Sequence, residues 1–79
     1  IFPQVEFRPT FANNSFAYAA ALSNTRLDEA EKAINLAVSV QPSSALYDTR
    51  AWVLYRQGKY PEALVDIQTA LRKLYRDIT

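Results

Sequence analysis

Apolar residues recur every three or four positions along residues 11–78, which is the spacing of helices that bury one face. The pattern predicts four helices, at about residues 11–22, from residue 27 up to Pro42, at about 45–57 and from residue 60 to about 77. The last of them has the most regular apolar stripe. Short polar connections join the segments, so we predict an all-α chain of two antiparallel helix pairs.

Residues at the ends of these segments predict helix caps. Thr10 is a candidate N-cap of the first helix, and Thr25 with Asp28 resembles a capping box before the second. Ser43 is placed to begin the third helix. Gly58 supplies the left-handed conformation that a helix C-terminus favours.

Residues 1–10 interrupt the helical pattern and predict an extended N-terminal arm. Pro3 and Pro9 each bias the preceding residue away from the helical region. Val5 and Phe7 alternate with polar residues, which is a weak strand-like signal. Two interpretations stay open: a lead-in that packs on the first helix, or an arm that docks on another chain.

The second helix pair repeats the first at an offset of 33 or 34 residues. Residues 16–18 align with residues 50–52, and residues 27–30 align with residues 60–63. A period in the low thirties is the signature of repeat architectures, in which each unit buries its apolar face against a neighbour. The repeat divides the chain into the arm at 1–10, a divergent first unit at 11–42 and a second unit at 43–79 with an extended last helix.

The repeated residues resemble the tetratricopeptide repeat (TPR) family, in a form common in bacterial proteins. The second unit carries the motif at Ala51, Gly58, Tyr60, Ala63, Leu64 and Ala70, and the first at Ala17, Leu27, Ala30, Ile34, Ala37 and Pro42. Two positions depart from the family pattern, since Arg50 replaces the usual Leu and Tyr75 replaces the closing Pro. The first turn is also one residue longer and lacks the glycine. The resemblance implies two TPR helical hairpins that form a short right-handed solenoid.

The resemblance further implies a concave groove, lined by the first helix of each unit, that binds peptides or protein segments. Carried over position by position, the groove candidates are Asn14, Tyr18, Asp48, Thr49, Trp52, Tyr55 and Arg56, with Ala21 and Ala45 beside them. Aromatic residues dominate interface energetics, so Tyr18, Trp52 and Tyr55 are the expected anchors. A packing role between the units is the alternative for Trp52. The carboxylate clamp of some family members is not expected, because its positions hold no cation here.

A second candidate interface is the apolar edge of the last helix, formed by Leu71, Leu74, Tyr75 and Ile78. No following helical segment covers it, and exposed stripes of this kind mark interfaces. Two repeats are also fewer than the roughly three that a stable stack needs. We therefore expect another copy, a further repeat or a different subunit to pack here. The absence of Met adds the expectation that the chain is a fragment or a processed form.

The absence of Cys and His removes the usual nucleophiles, proton shuttles and soft-metal ligands. Asp28, Glu29 and Glu31 are clustered, but acidic residues in the first turn of a helix are stabilised by its dipole and need no catalytic role. Neither a glycine-rich phosphate loop nor metal-ligand spacing is present. We therefore predict no enzyme activity, no cofactor, no metal and no small-molecule substrate.

The net charge of +1 conceals an uneven distribution. Residues 1–49 carry three basic and five acidic side chains, whereas residues 50–79 carry six and three. Arg72, Lys73 and Arg76 are either last-turn cations that offset a helix dipole or a modest, salt-sensitive contact for an anionic membrane surface or nucleic acid. The leading prediction remains a protein–protein interaction scaffold or adaptor, with protein partners or further copies of itself, in a larger assembly or longer solenoid.

Overall fold

The computed structural model describes the backbone of residues 3–78 and the side chains of residues 10–76. Its four helices are α1 (Pro3–Ser23), α2 (Leu27–Val40), α3 (Ser44–Arg56) and α4 (Tyr60–Ile78). No strand occurs in this part of the chain, so the all-α prediction is confirmed. The ends of α2, α3 and α4 agree with the predicted ones to within two residues.

The predicted N-terminal arm is wrong for residues 3–10, which form the first turns of α1. Pro3 is the first helical residue, where its missing N–H has no helical partner to lose. Pro9 lies inside the helix and removes one backbone hydrogen bond, which costs about 3 kcal/mol. The helix continues through it, so the prolines weaken this segment without ending it. Thr10 is therefore not a cap but a buried residue within α1.

One of the other two predicted side-chain caps forms and one does not. The Ser43 hydroxyl accepts the N–H of Leu46 at 3.3 Å, as an N-cap should. The Thr25 and Asp28 capping box is wrong, because α2 starts after Arg26, whose side chain makes no cap bond. Arg26 has a left-handed backbone with φ of 53°, whereas a side-chain N-cap needs an extended one.

The turns that follow α1 and α3 have the same hydrogen bonds, 34 residues apart. In each turn the residue with positive φ (Asn24 at 56°, Gly58 at 81°) donates its N–H to the carbonyl three residues back, at 3.2 and 2.9 Å. The next residue donates to the carbonyl five residues back, at 3.1 and 2.9 Å. Together these two bonds make a Schellman cap. Two different residues, Asn and Gly, thus end the two helices in one geometry.

Helix α3 lies at the centre of the fold. It packs against α4 and also contacts both α1 and α2, which pack against each other. Among the described helices, α4 packs against α3 alone. One side of α4 is therefore open, and it keeps large exposed apolar side chains at Tyr60, Leu64, Leu71, Leu74 and Tyr75.

The core is built mainly from small residues. Ile34 and Val53 are the largest side chains that are fully buried. The alanines around them are Ala17, Ala20, Ala21, Ala30 and Ala37. Small side chains allow helix backbones to approach closely. The space that Ile34 and Val53 occupy could not easily be filled by a neighbouring side chain if either were shortened.

A polar cleft of ≈ 340 Å³ between α2, α3 and α4 contains a buried ion pair. Arg50 on α3 donates to both carboxylate oxygens of Asp66 on α4, from Nε at 2.7 Å and from Nη2 at 3.0 Å. Its Nη1 also donates to Asn35 Oδ1 on α2 at 3.2 Å. The hydrogen bonds to the Asp66 carboxylate raise the pKa of the Arg50 guanidinium. This single side chain therefore links three helices.

A second, more exposed ion pair crosses the same cleft. Lys59 Nζ lies 3.1 Å from Glu31 Oε1. Partial burial raises the pKa of Glu31, but hydrogen bonds from Gln57 and Lys59 outweigh it and hold that pKa below its ordinary value. The pair ties the α3–α4 turn to α2.

Candidate protein-binding groove

A groove of ≈ 570 Å³ runs between α3 and α4. It is lined by Asp48, Ala51, Trp52, Tyr55, Tyr60, Ala63, Leu64 and Ile67. Asp48 is the only charged residue of this lining. The groove therefore offers an apolar and aromatic surface with a single carboxylate.

Three aromatic rings form a contiguous row along the groove. The Tyr55 ring lies between those of Trp52 and Tyr60, with centroid distances of 6.1 and 5.4 Å and interplanar angles of 87° and 54°. Aromatic rings prefer tilted or edge-on contacts, so these contacts hold the three rings in defined positions relative to each other. The Arg56 guanidinium lies 5.7 Å from the Trp52 ring centroid, within cation–π range. The three rings nevertheless remain 38%, 53% and 60% exposed.

A second cavity, of ≈ 210 Å³, continues the groove toward the C-terminal end of α4. Asp48 and Ile67 line both cavities, and Leu71 and Leu74 line the second. We call the combined surface the α3/α4 face, made of Asp48, Trp52, Tyr55, Tyr60, Leu64, Ile67, Leu71 and Leu74. Some candidates of the two predicted sites thus meet on one surface: Asp48, Trp52 and Tyr55 of the groove, and Leu71 and Leu74 of the apolar edge.

The last predicted edge residues lie beyond this face. Tyr75 is 68% exposed and lines a further cavity of ≈ 490 Å³ with Leu71, Arg72 and Arg76. The side chain of Ile78 lies outside the described residues. The apolar edge therefore continues past the groove into a segment where cations stand beside apolar groups.

The α1 candidates are separate from the α3/α4 face. Tyr18 is 46% exposed. Asn14 is half-buried and lines a small cavity with Leu46 and Ser43 at the N-terminal end of α3. Its Oδ1 is buried and makes no hydrogen bond within the described part of the chain. Neither residue lines the groove or its continuation.

Two α3 candidates serve the packing of that helix. Thr49 is buried, and its hydroxyl donates to the Ala45 carbonyl at 3.1 Å. Arg56 Nε donates to the Ala21 carbonyl at the end of α1 at 2.8 Å. The structure thus places Thr49 away from the surface, while Arg56 is exposed but already bonded to α1.

Sequence reasoning did not assign Tyr60, Leu64 and Ile67 to the site, although all three belong to the regular apolar stripe of the last helix. For Ile67, the correspondence between the two halves of the sequence contains a signal that could have done so. Ile67 corresponds to Ile34 at an offset of 33, and Ile34 is covered where the two helix pairs meet. Positions that are covered in the first unit are candidates for docking in the second.

The corresponding surface of α1 and α2 shows what such positions bind. It is buried with α3 seated on it, at Ala17, Ala21, Ala30, Ile34, Ala37 and Val38. The counterparts on α3 and α4 are Ala51, Tyr55, Ala63, Ile67, Ala70 and Leu71. Of these, Tyr55 and Leu71 are 53% and 60% exposed. The α3/α4 face therefore has the residues of a helix-docking surface, with no helix of the described chain upon it.

The described residues contain no group of acidic side chains, Cys or His that could hold a metal ion. None of the described helices has the length and hydropathy needed to cross a membrane. The α3/α4 face itself carries one carboxylate and two phenol hydroxyls as its chemistry.

Comparisons of this chain with known protein families, with curated proteins and with solved structures find no match. Its function is therefore inferred from its own residues and geometry.

Proposed function

We propose that this chain is a protein-interaction scaffold or adaptor of the TPR type whose α3/α4 face binds a helical segment of a protein partner. The observation that carries the proposal is the exposed aromatic and apolar surface around Tyr55, Ile67 and Leu71, whose counterparts Ala21, Ile34 and Val38 are buried in the first unit. The matched turns at Asn24 and Gly58 support a repeated two-helix unit. The central position of α3, in contact with both α1 and α2, also fits units that stack in a solenoid.

The exposed side chains supply part of the free energy that moderate-affinity binding needs. Tyr55, Tyr60, Leu64 and Leu71 are each 53–60% exposed, and full burial of such a side chain is favourable by about 1.5–3 kcal/mol. About half of that remains to be gained at each, or about 3–6 kcal/mol for the four together. Association itself costs about 4–15 kcal/mol, so the remaining lining must also contribute and we expect affinity no tighter than about micromolar.

The intrinsic fluorescence of Trp52 tests the proposal directly. It is the only tryptophan of the chain and it lines the groove. The probe is a synthetic peptide of residues 43–57, the helix that docks on α1 and α2 within the chain. It carries Trp52→Phe, so that the peptide has no tryptophan emission of its own. It also carries Val53→Ala, so that the docked peptide leaves room for the Tyr55 ring of the groove. We expect saturable binding that shifts the Trp52 emission to shorter wavelength, because a docked helix removes water from the indole.

Two neighbouring residues of α4 give a matched pair of variants. Leu64 and Val65 are both 57% exposed, but Leu64 lines the groove and Val65 lines the polar cleft. Leu64→Arg should weaken peptide binding by about tenfold or more, since it places a charge in the apolar contact. Val65→Arg should leave binding unchanged. Equal effects of the two substitutions, or an unshifted emission at every peptide concentration, would contradict the proposal.

A second candidate function rests on the cavity beyond the groove, where Arg72 and Arg76 stand beside Leu71 and Tyr75. Cations next to exposed apolar groups suit an anionic membrane surface, with about 1 kcal/mol from each cation near it. Co-sedimentation with vesicles of phosphatidylserine and phosphatidylcholine tests this function. Binding that persists at physiological salt and weakens in Arg72→Gln would favour it, whereas binding only at low salt would reject it.

A further inference from the structure

We propose that the α3/α4 face of one molecule binds α1 of a second copy of this chain, in a head-to-tail contact. The inference rests on the proposed function because it uses the same face, and it names the partner. It starts from a contact within the chain, in which α3 docks on α1 and α2.

The residues of α1 that correspond to the docking residues of α3 are exposed. Helix α3 docks with a buried stripe formed by Leu46, Thr49 and Val53. Thirty-four residues earlier, the corresponding positions on α1 are Ala12, Ser15 and Ala19, and all three are exposed. Leu22, the counterpart of Arg56, is 52% exposed. We call these four residues the α1 stripe. Docking surface and docking helix are therefore both uncovered in the same molecule.

The sizes of the facing residues change in opposite directions. The docking surface on α1 and α2 has Ala21 where the α3/α4 face has Tyr55, so the α3/α4 face carries the larger residue. The docking helix has Val53 in the internal contact but Ala19 on the α1 stripe, so it is slimmer there. Helix interfaces pack to a nearly constant density, and a larger groove residue therefore calls for a smaller residue on the helix that enters.

The helix lengths match as well. Helix α1 has 21 residues against 13 in α3, and its additional turns precede Thr10, the counterpart of Ser44. Helix α4 has 19 residues against 14 in α2, and its additional residues follow the counterpart of Val40. In the internal contact the start of α3 lies next to the end of α2, to which a short turn joins it. In the proposed contact, the additional turns of α1 and of α4 would thus lie side by side.

The proposed contact contains few charges. Asp48 is the one charged residue that lines the groove, and the α1 stripe has none. No like charges therefore oppose each other in a head-to-tail contact between the face and the stripe. The contact is heterologous, so each dimer still has one free face and one free α1, and it can extend into a ring or an open chain.

Complementary variants test the inference with the full chain. Leu64→Arg blocks the face, and Ala19→Arg blocks the α1 stripe; both residues are exposed, so neither substitution disturbs the core. In sedimentation velocity the unmodified chain should show a mass that rises with concentration up to about 100 μM, with a parallel blue shift of Trp52 emission. Each variant alone should be a monomer. Their equimolar mixture should form a 1:1 dimer that does not grow further, because each supplies the surface that the other retains.

Val65→Arg and Ser39→Arg are the controls, since they add the same charge at exposed positions outside the contact, and they should associate like the unmodified chain. Three results would overturn the inference: a monomer at all concentrations, a mixture of variants that stays monomeric, or a Leu64→Arg variant that still dimerises alone. If the chain is a monomer that nevertheless binds the helical peptide through Leu64, the partner is a different protein. In that case the self-association is wrong while the proposed function stands.

Discussion

Replacing Arg50 by methionine should be among the most destabilising single changes on the polar side of this fold. Arg50 donates three hydrogen bonds, two to Asp66 on α4 and one to Asn35 on α2. Met keeps most of the length of the side chain but none of the donors. The substitution therefore leaves the buried Asp66 carboxylate without its counter-charge.

The magnitude follows from the burial of the pair. Removing one partner of a fully buried ion pair costs about 3–5 kcal/mol, whereas breaking an exposed pair costs about 0–1 kcal/mol. The side chains of Arg50 and Asp66 are 24% and 7% exposed, so water reaches the guanidinium but hardly the carboxylate. We expect a loss of about 2–3 kcal/mol. A chain of 79 residues has about 4–12 kcal/mol of unfolding free energy in all, so the loss should be plain.

Urea unfolding followed by circular dichroism at the helix band measures the effect. With a denaturant slope of about 1 kcal/mol/M for a chain of this size, the midpoint should fall by about 2–3 M. The double variant Arg50→Met with Asp66→Leu should recover most of the loss, because an apolar pair leaves no buried charge. The control is Glu29→Gln, which breaks the exposed Arg26–Glu29 pair and should leave the urea midpoint nearly unchanged.

The reasoning would be refuted if Arg50→Met cost no more than Glu29→Gln, or if the double variant were less stable than Arg50→Met. The first result would mean that water already solvates Asp66. The second would mean that the guanidinium contributes mainly by packing against its neighbours, including the Tyr47 ring, whose centroid lies 5.3 Å away.

Three further outcomes follow from the structure. Ile34→Ala should destabilise the fold by about 3–4 kcal/mol in the same urea assay, because the fully buried side chain leaves a cavity among small residues; a loss near 1 kcal/mol would show that the helices close around it. Gly58→Ala should cost about 1–2 kcal/mol through its φ of 81° alone, since nothing lies within 4 Å of an added Cβ, and the melting temperature should fall without loss of helix content. Glu31→Gln should lower the stability of the fold only at pH values where the Glu31 carboxylate is charged. The folded pKa of Glu31 is lowered, so its contribution is present above the unfolded pKa and is lost as the pH falls through the folded one; the difference from the unmodified chain, less than about 1 kcal/mol, should therefore persist at pH 7 and vanish between about pH 5 and pH 3.

Much of the local structure could be predicted from the sequence because it depends on short-range physics. The three- and four-residue spacing of apolar positions placed α2, α3 and α4, and Ser43 and Gly58 act as the caps that their residue types favour. The prediction of an N-terminal arm also relied on a short-range preference, and it was wrong. Proline bias is a local preference of about 3 kcal/mol, and a helix that continues on both sides of Pro9 overrides it.

The candidate site was predicted only in part. The aromatic anchors Trp52 and Tyr55 were named from a resemblance, as part of a groove lined by the first helix of each unit. The groove that they line in the structure lies between α3 and α4 instead. Thr49 was placed on the surface but is buried, because a helix presents residues at several angles and the sequence does not say which angle meets a neighbour. The Arg50–Asp66 pair, 16 residues apart, could not be predicted either, since it depends on how α3 and α4 are set against each other.

By itself, then, the sequence determined the elements of this protein: four helices, the apolar stripe of each, and pairs of matching residues 33 or 34 positions apart. Helix periodicity, capping and repetition can be recognised within one segment or by comparing two. Only the tertiary structure decided that α3 fills the groove of the first unit and that the same positions on α3 and α4 stay open. Burial is a property of neighbours. Which apolar face is covered and which is free to bind depends on contacts between residues that are far apart along the chain.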